Sequence, residues 1–97
     1  MEIRFEWDFL KNIQNKKKHN ILFEEAATVF YDECALLLSD PEHSVDEERF
    51  LLLGYSSMNK ICIVCHCYKE DNVIRIISAR KATKKEREDY NECNGGE

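Results

Sequence analysis

Three apolar runs in the second half of the chain constrain its fold more than any other feature. Phe50–Tyr55, Ile61–Tyr68 and Val73–Ala79 are rich in β-branched and aromatic residues, and only Ser56–Lys60 and Lys69–Asn72 separate them. Such runs favour strands. Connections this short leave no room for a crossover helix, so consecutive strands must pair antiparallel.

The flanking segments supply helices and shorter strands. Glu2–Glu6 alternates polar and apolar residues and reads as a strand. Asp8 is placed to cap a helix over Phe9–Lys18, and His19-Asn20 ends it, because asparagine tolerates a left-handed backbone. Leu10, Ile13 and Lys17 share one face of that helix. Phe23–Phe30 reads as a second helix that buries Ala26, Ala27 and Phe30. Ala35–Leu38 is a short strand, and Ser39–Asp46, with the chain's only proline, is a loop. Thr83–Asn94 reads as a helix, with Thr83 and Glu86 spaced as a capping box. The expected order is β-α-α-β-β-β-β-α in one domain of 97 residues. The expected fold is α+β, an antiparallel β-sheet packed against two N-terminal helices and one C-terminal helix, with the helices gathered at one side.

The net charge of −5 argues against a sequence-independent coat on nucleic acid, which needs a broadly basic face. The cations are clustered, however. Lys16, Lys17, Lys18 and His19 form one block, and Arg80, Lys81, Lys84, Lys85 and Arg87 form another. The acidic excess lies in Asp40–Glu48 and in the tail after Glu86. A local cationic groove on an acidic molecule is therefore expected. The start of the chain lacks the long apolar stretch of a secretory signal or membrane span, which points to a cytoplasmic protein. The five cysteines then read as reduced thiols, and their odd number fits no closed disulfide framework.

The last strand runs straight into the second basic block. Arg75 and Arg80 sit on a rigid backbone there and can offer planar donor forks to phosphate oxygens. Five positions apart on a regular strand, they face opposite ways, and they serve one site only if the strand bulges or ends before Arg80. The alternative role for either is to anchor an internal carboxylate, with Glu48 the expected partner. Cys65-His66-Cys67 does not make a zinc site, since His66 faces the side of Cys62 and not that of its two neighbours. Phe5 and Trp7 read as core aromatics rather than base-stacking platforms.

Phe5-Glu6-Trp7-Asp8, Lys11-Asn12, Lys18-His19, Phe23-Glu24-Glu25-Ala26, Glu47-Glu48-Arg49 and Arg75-Ile76-Ile77-Ser78-Ala79-Arg80 follow one another in an order that resembles the BrnT toxins. The resemblance spans nearly the whole chain. It implies a fold similar to RelE-type ribonuclease toxins and a cytosolic ribonuclease that arrests translation. It also implies a BrnA-like ribbon-helix-helix antitoxin as partner, with operator DNA bound only through that antitoxin. No cofactor and no membrane contact are expected. Two positions depart from the common pattern. Asn20 follows His19 where glycine is common, and Tyr55 follows Gly54 where arginine is common.

RNA cleavage without a metal needs a base for the ribose 2′-hydroxyl, cations for the phosphorane charge and an acid for the leaving 5′-oxygen. Arg75 and Arg80 are candidates for the cations. Glu48, read as the start of a strand beside Arg49, is a candidate base or an orienting partner for an arginine; the alternative is a solvated loop end. Lys18 and His19 lie at a helix C-terminus, where the dipole favours positive charge, and a protonated His19 is a candidate acid or phosphate ligand. Its alternative is a helix-end contact. Arg49, Lys60 and Lys81 are candidate substrate-binding cations. The leading reading is an endoribonuclease toxin. The second, motivated by Tyr55 and the net acidity, is a non-catalytic module that retains antitoxin binding. A third, a thiol-redox or metal protein, rests on the cysteines alone.

Overall fold

The computed structural model describes residues 2–95; Met1 and the end of the acidic tail, Gly96 and Glu97, lie outside the described residues. In chain order the elements are β1 (Arg4–Glu6), α1 (Phe9–His19), α2 (Phe23–Thr28), β2 (Leu36–Ser39), β3 (Phe50–Tyr55), β4 (Ile61–Lys69), β5 (Val73–Lys81) and α3 (Lys84–Cys93). Short 3-10 turns occupy Val29–Tyr31 and Pro41–His43, so the second helix stops earlier than its apolar pattern suggests. No helix of the described residues is long and apolar enough to cross a membrane.

The meander forms as the short connections require. β3 pairs antiparallel with β4, β4 with β5, and β2 adds antiparallel to β3. The sheet as a whole is nevertheless mixed. β1 lies parallel to β5, with Arg4 opposite Val73 and Glu6 opposite Arg75, and completes the order β1-β5-β4-β3-β2. Most of the chain separates β1 from β5, so no tight turn fixes their relative direction.

The helices also divide between the two faces, where the sequence suggested one side. Ile21, Phe23, Ala26 and Val29 pack on Leu52, Cys62, Val64, Ile76 and Ala79, with Phe5 and Trp7 closing the edge of this core. Trp7 meets Phe23 edge-on at 6.1 Å. Tyr90 of α3 packs on Leu53, Ile63 and Ala82. Leu53 and Ile63 face each other one position from the opposed pair Leu52 and Val64, so α3 covers the other face of the sheet.

Helix α1 turns its polar side inward. Asn12 and Asn15 are buried, while Phe9, Leu10 and Ile13 are exposed. The cause is hydrogen bonding. Beyond Arg75, β1 no longer pairs with β5, and α1 lies against that open stretch. Asn15 meets the Ala79 backbone there and also donates to the Ile21 carbonyl at 2.8 Å. Asn12 accepts from the Phe23 N–H at 2.7 Å, capping α2 in place of Leu22, whose side chain cannot. Apolar side chains could satisfy none of these groups. At its ends α1 behaves as its sequence dictates: Asp8 accepts from the Lys11 N–H, and Asn20 takes a left-handed backbone at φ 59°.

Gly54 lies close against the segment that follows the 3-10 turn at Val29–Tyr31. A β-carbon there would lie 2.9 Å from both Ala35 Cβ and Asp32 Oδ2. The Asp32 carboxylate accepts from the Tyr55 N–H and the Tyr90 hydroxyl, each at 2.8 Å, and so joins β3 to α3.

Candidate active site

A β-bulge builds the site. Cys65 pairs with Ser78 but His66 pairs with Ile76, so Ile77 is the extra residue on β5. The bulge shifts the alternation by one. Arg80, opposite Ile63, and Arg75, opposite Cys67, consequently face the same side of the sheet. Their partners are four positions apart on β4, which separates the two arginines by about 13 Å along the strand.

A cleft of about 370 Å³ opens on this face beside α3. Strand residues Leu51, Ile63, Cys65 and Ser78 form its floor. Asp40, Glu42, His43 and Arg49 come from the segment between β2 and β3, and His19 and Arg80 come from α1 and β5. A more open groove of about 500 Å³ shares His19 and Arg80 and is lined further by Lys17, Lys18 and Lys81. The two basic blocks of the sequence meet here. The C-terminal turn of α1 contributes one and the end of β5 the other, because Asn15 fastens α1 to Ala79, next to Arg80.

The cations in the cleft differ in how they are held. Arg80 grips Glu86 with two parallel bonds, Nη1 to Oε1 at 2.9 Å and Nη2 to Oε2 at 3.0 Å. Nη1 also donates to the Lys81 carbonyl. The Nε–H and the second Nη2 hydrogen have no partner among the described residues, so one planar fork stays available. The Arg80 bond, helped by the Thr83 N–H, pulls the Glu86 carboxyl down to about 2. Arg49 has no carboxylate within ion-pair distance among the described residues, and its buried Nε has no hydrogen-bond partner there. A guanidinium left in that state favours an anion.

His43 and Asp40 form the other notable pair. The His43 ring Nδ1 lies 3.0 and 3.1 Å from the two Asp40 carboxylate oxygens. Asp40 is largely covered, while the His43 side chain, which lines the cleft, is 64% exposed.

Of the residues expected from sequence, Lys18, His19, Arg49, Arg80 and Lys81 therefore line the two clefts. Arg75 lines neither; it pairs with Glu6 at 2.9 Å, not with Glu48. Glu48 is exposed and precedes β3, which begins only at Phe50, so neither it nor Arg49 starts a strand. Arg80 takes its carboxylate from α3, not from Glu48. Lys60 stands 3.8 Å from Glu25 and lines neither cleft. Sequence reasoning missed His43 and Asp40. Their one available signal was an aspartate and a histidine three positions apart around Pro41, a spacing that lets the two side chains meet across one turn.

Burial pushes Cys62 up to about 11 and raises Cys65 and Cys67. His66 is fully buried, its Nδ1 3.0 Å from the Val64 carbonyl, and burial lowers its pKa. Among the described residues no three His, Cys, Asp or Glu side chains converge as metal ligands.

A protein-family model described as ribonuclease toxin, BrnT, of type II toxin-antitoxin system, matches residues 7–86. Among solved structures, the 1.1 Å crystal structure of the Brucella abortus ribonuclease toxin BrnT is similar to this fold. Its TM-score is 0.67 at 20% identity, over 86% of this chain and 100% of that one. No curated protein sequence matches significantly.

Proposed function

The chain belongs to the BrnT family of ribonuclease toxins of type II toxin–antitoxin systems, and on that premise we propose that it is an endoribonuclease of RelE-like fold. It acts in the cytoplasm by cutting RNA without a metal, through attack of the ribose 2′-hydroxyl on the adjacent phosphate. This stops translation. A BrnA-like ribbon-helix-helix antitoxin neutralises it and carries the pair to operator DNA.

The meeting of Lys18, His19, Arg49, Arg80 and Lys81 around two joined clefts carries this reading. Arg49 and the free edge of Arg80 are suited to the negative charge that grows on the phosphorane oxygens. Lys18 and Lys81 offer point charges to neighbouring phosphates along the strand. His19 borders both clefts and is suited to protonating the leaving 5′-oxygen. Dependence on the 2′-hydroxyl restricts the chemistry to RNA. Arg75, Glu48 and Lys60 have no part in it.

The test is cleavage by the purified chain in EDTA. RNA fragments ending in 2′,3′-cyclic phosphate and 5′-hydroxyl groups are expected, with a 2′-O-methyl RNA left intact. Intact RNA would overturn the proposal and favour the non-catalytic, antitoxin-binding reading. Co-purification with a ribbon-helix-helix partner tests the assembly separately.

A further inference from the structure

We propose that His43 is the general base of the cleavage reaction and that Asp40 is its positioning residue, an assignment that rests on the ribonuclease reading above. The pair has the geometry of a base held by a third group. Both Asp40 carboxylate oxygens lie within hydrogen-bond distance of His43 Nδ1, so Nδ1 carries the proton and Nε2 is left as the open acceptor. Asp40 is mostly shielded, while the imidazole is largely exposed and lines the cleft. That is the arrangement in which a carboxylate fixes a tautomer without itself meeting substrate.

The pair is also tied to the phosphate-binding arginine. The Asp40 N–H donates to the Arg49 carbonyl at 3.0 Å. The Ser44 hydroxyl donates to the Asp40 carbonyl at 2.7 Å and accepts from the Arg49 N–H at 2.9 Å. The backbone segments that carry the base and the phosphate-binding cation thus belong to one hydrogen-bonded unit. The titratable and charged groups that line the cleft with His43 are Asp40, Glu42 and Arg49 from its own segment, Cys65 from β4, Arg80 from β5 and His19 from α1. Among them His43 alone has a carboxylate-oriented imidazole. The base that Glu48 cannot supply from outside the cleft is therefore available inside it.

In the step itself His43 Nε2 takes the 2′-hydroxyl proton, and O2′ forms a bond to phosphorus. The bond from phosphorus to O5′ breaks, and its electron pair leaves on O5′. Protonated His19 gives that oxygen a proton. The products are a 2′,3′-cyclic phosphate and a 5′-hydroxyl, with His43 protonated and His19 neutral until water restores both.

The experiment compares the full-length chain with His43→Ala and Asp40→Asn on one RNA oligonucleotide. Binding is followed on its 2′-O-methyl counterpart, which cannot be cut. His43→Ala should cleave roughly a hundredfold more slowly, bind the 2′-O-methyl RNA as the parent does, and regain activity with added imidazole. Asp40→Asn should lower kcat roughly tenfold with KM unchanged. Cleavage by His43→Ala within about threefold of the parent would overturn the assignment while leaving the nuclease reading in place. Loss of binding together with cleavage would overturn it too, since His43 would then act on structure. A parent chain that cleaves no RNA would overturn both readings.

Discussion

The Asn15 amide reads the backbone of Ala79 in both directions: Nδ2 donates to the Ala79 carbonyl at 2.9 Å and Oδ1 accepts from the Ala79 N–H at 3.1 Å. One side chain thereby imitates a neighbouring strand, at the place where β5 has lost β1 as a partner. Helix α1 is held there, and the Lys17–His19 turn is set against Arg80.

Asn15→Leu should therefore cost both stability and the site. Buried donors and acceptors left without partners cost about 1–3 kcal/mol each, so a loss of about 3 kcal/mol in urea unfolding is expected. Cleavage should fall even under conditions where the variant is fully folded, because His19 and Arg80 lose their common support. A variant with unchanged midpoint and unchanged activity would contradict this account of α1.

The two arginines of β5 should separate cleanly. Arg80→Ala is expected to reduce cleavage roughly a hundredfold or more, and Arg80→Lys to recover little, since an ammonium cannot offer a planar fork. Arg75→Ala, about 13 Å along the strand and paired to Glu6, should cleave within a few-fold of the parent. Equal losses at both positions would mean that the substrate spans the whole face of the sheet.

Acid should unlock α3 from β5. Glu86 is ionised in the folded protein down to about pH 2, against an ordinary carboxyl near 4.5. A depressed folded pKa contributes stability that is complete above about 4.5 and disappears as the pH falls through 2. Solvent screening of this partly exposed pair limits the effect to about 1 kcal/mol. The stability difference between the parent and Glu86→Gln, measured by denaturant titration, should shrink over that window. A constant difference from neutral pH to pH 2 would show that the carboxylate charge is not what matters.

Thiol labelling should divide the cysteines by position. Cys34 and Cys93 are exposed, and Cys62, Cys65 and Cys67 are buried. Burial also holds the three strand thiols in the protonated form, with Cys62 up to about 11. Iodoacetamide near pH 8 should modify the exposed pair at least about tenfold faster, with the strand thiols reacting on unfolding. Rapid labelling of Cys65 in the native state would show that the cleft floor opens.

Local signals carried much of the fold. Asp8, Asn20 and the Thr83–Glu86 capping box end their helices as their side chains require, and all three features are present. The β3–β4–β5 meander follows from turn length and strand composition. The polar inner face of α1 escaped prediction, because apolar periodicity cannot register a backbone that needs partners. For the site, the sequence offered the two basic blocks but not their meeting point. It named Arg75, Glu48 and Lys60 alongside residues that do converge, since proximity in space leaves no mark in spacing.

The sequence by itself therefore determined which segments are helix or strand, how α1 and α3 are capped, and where the positive charge is concentrated. Those properties depend on neighbours along the chain. Only the tertiary structure decided the direction of β1, the face taken by α3, the bulge at Ile77 that turns Arg80 toward the cleft, and the gathering of His43, Arg49, Arg80 and His19 around that cleft. Each of these depends on contacts between segments whose separation local propensity does not sense. Hydrogen bonds left open by one element had to be closed by another.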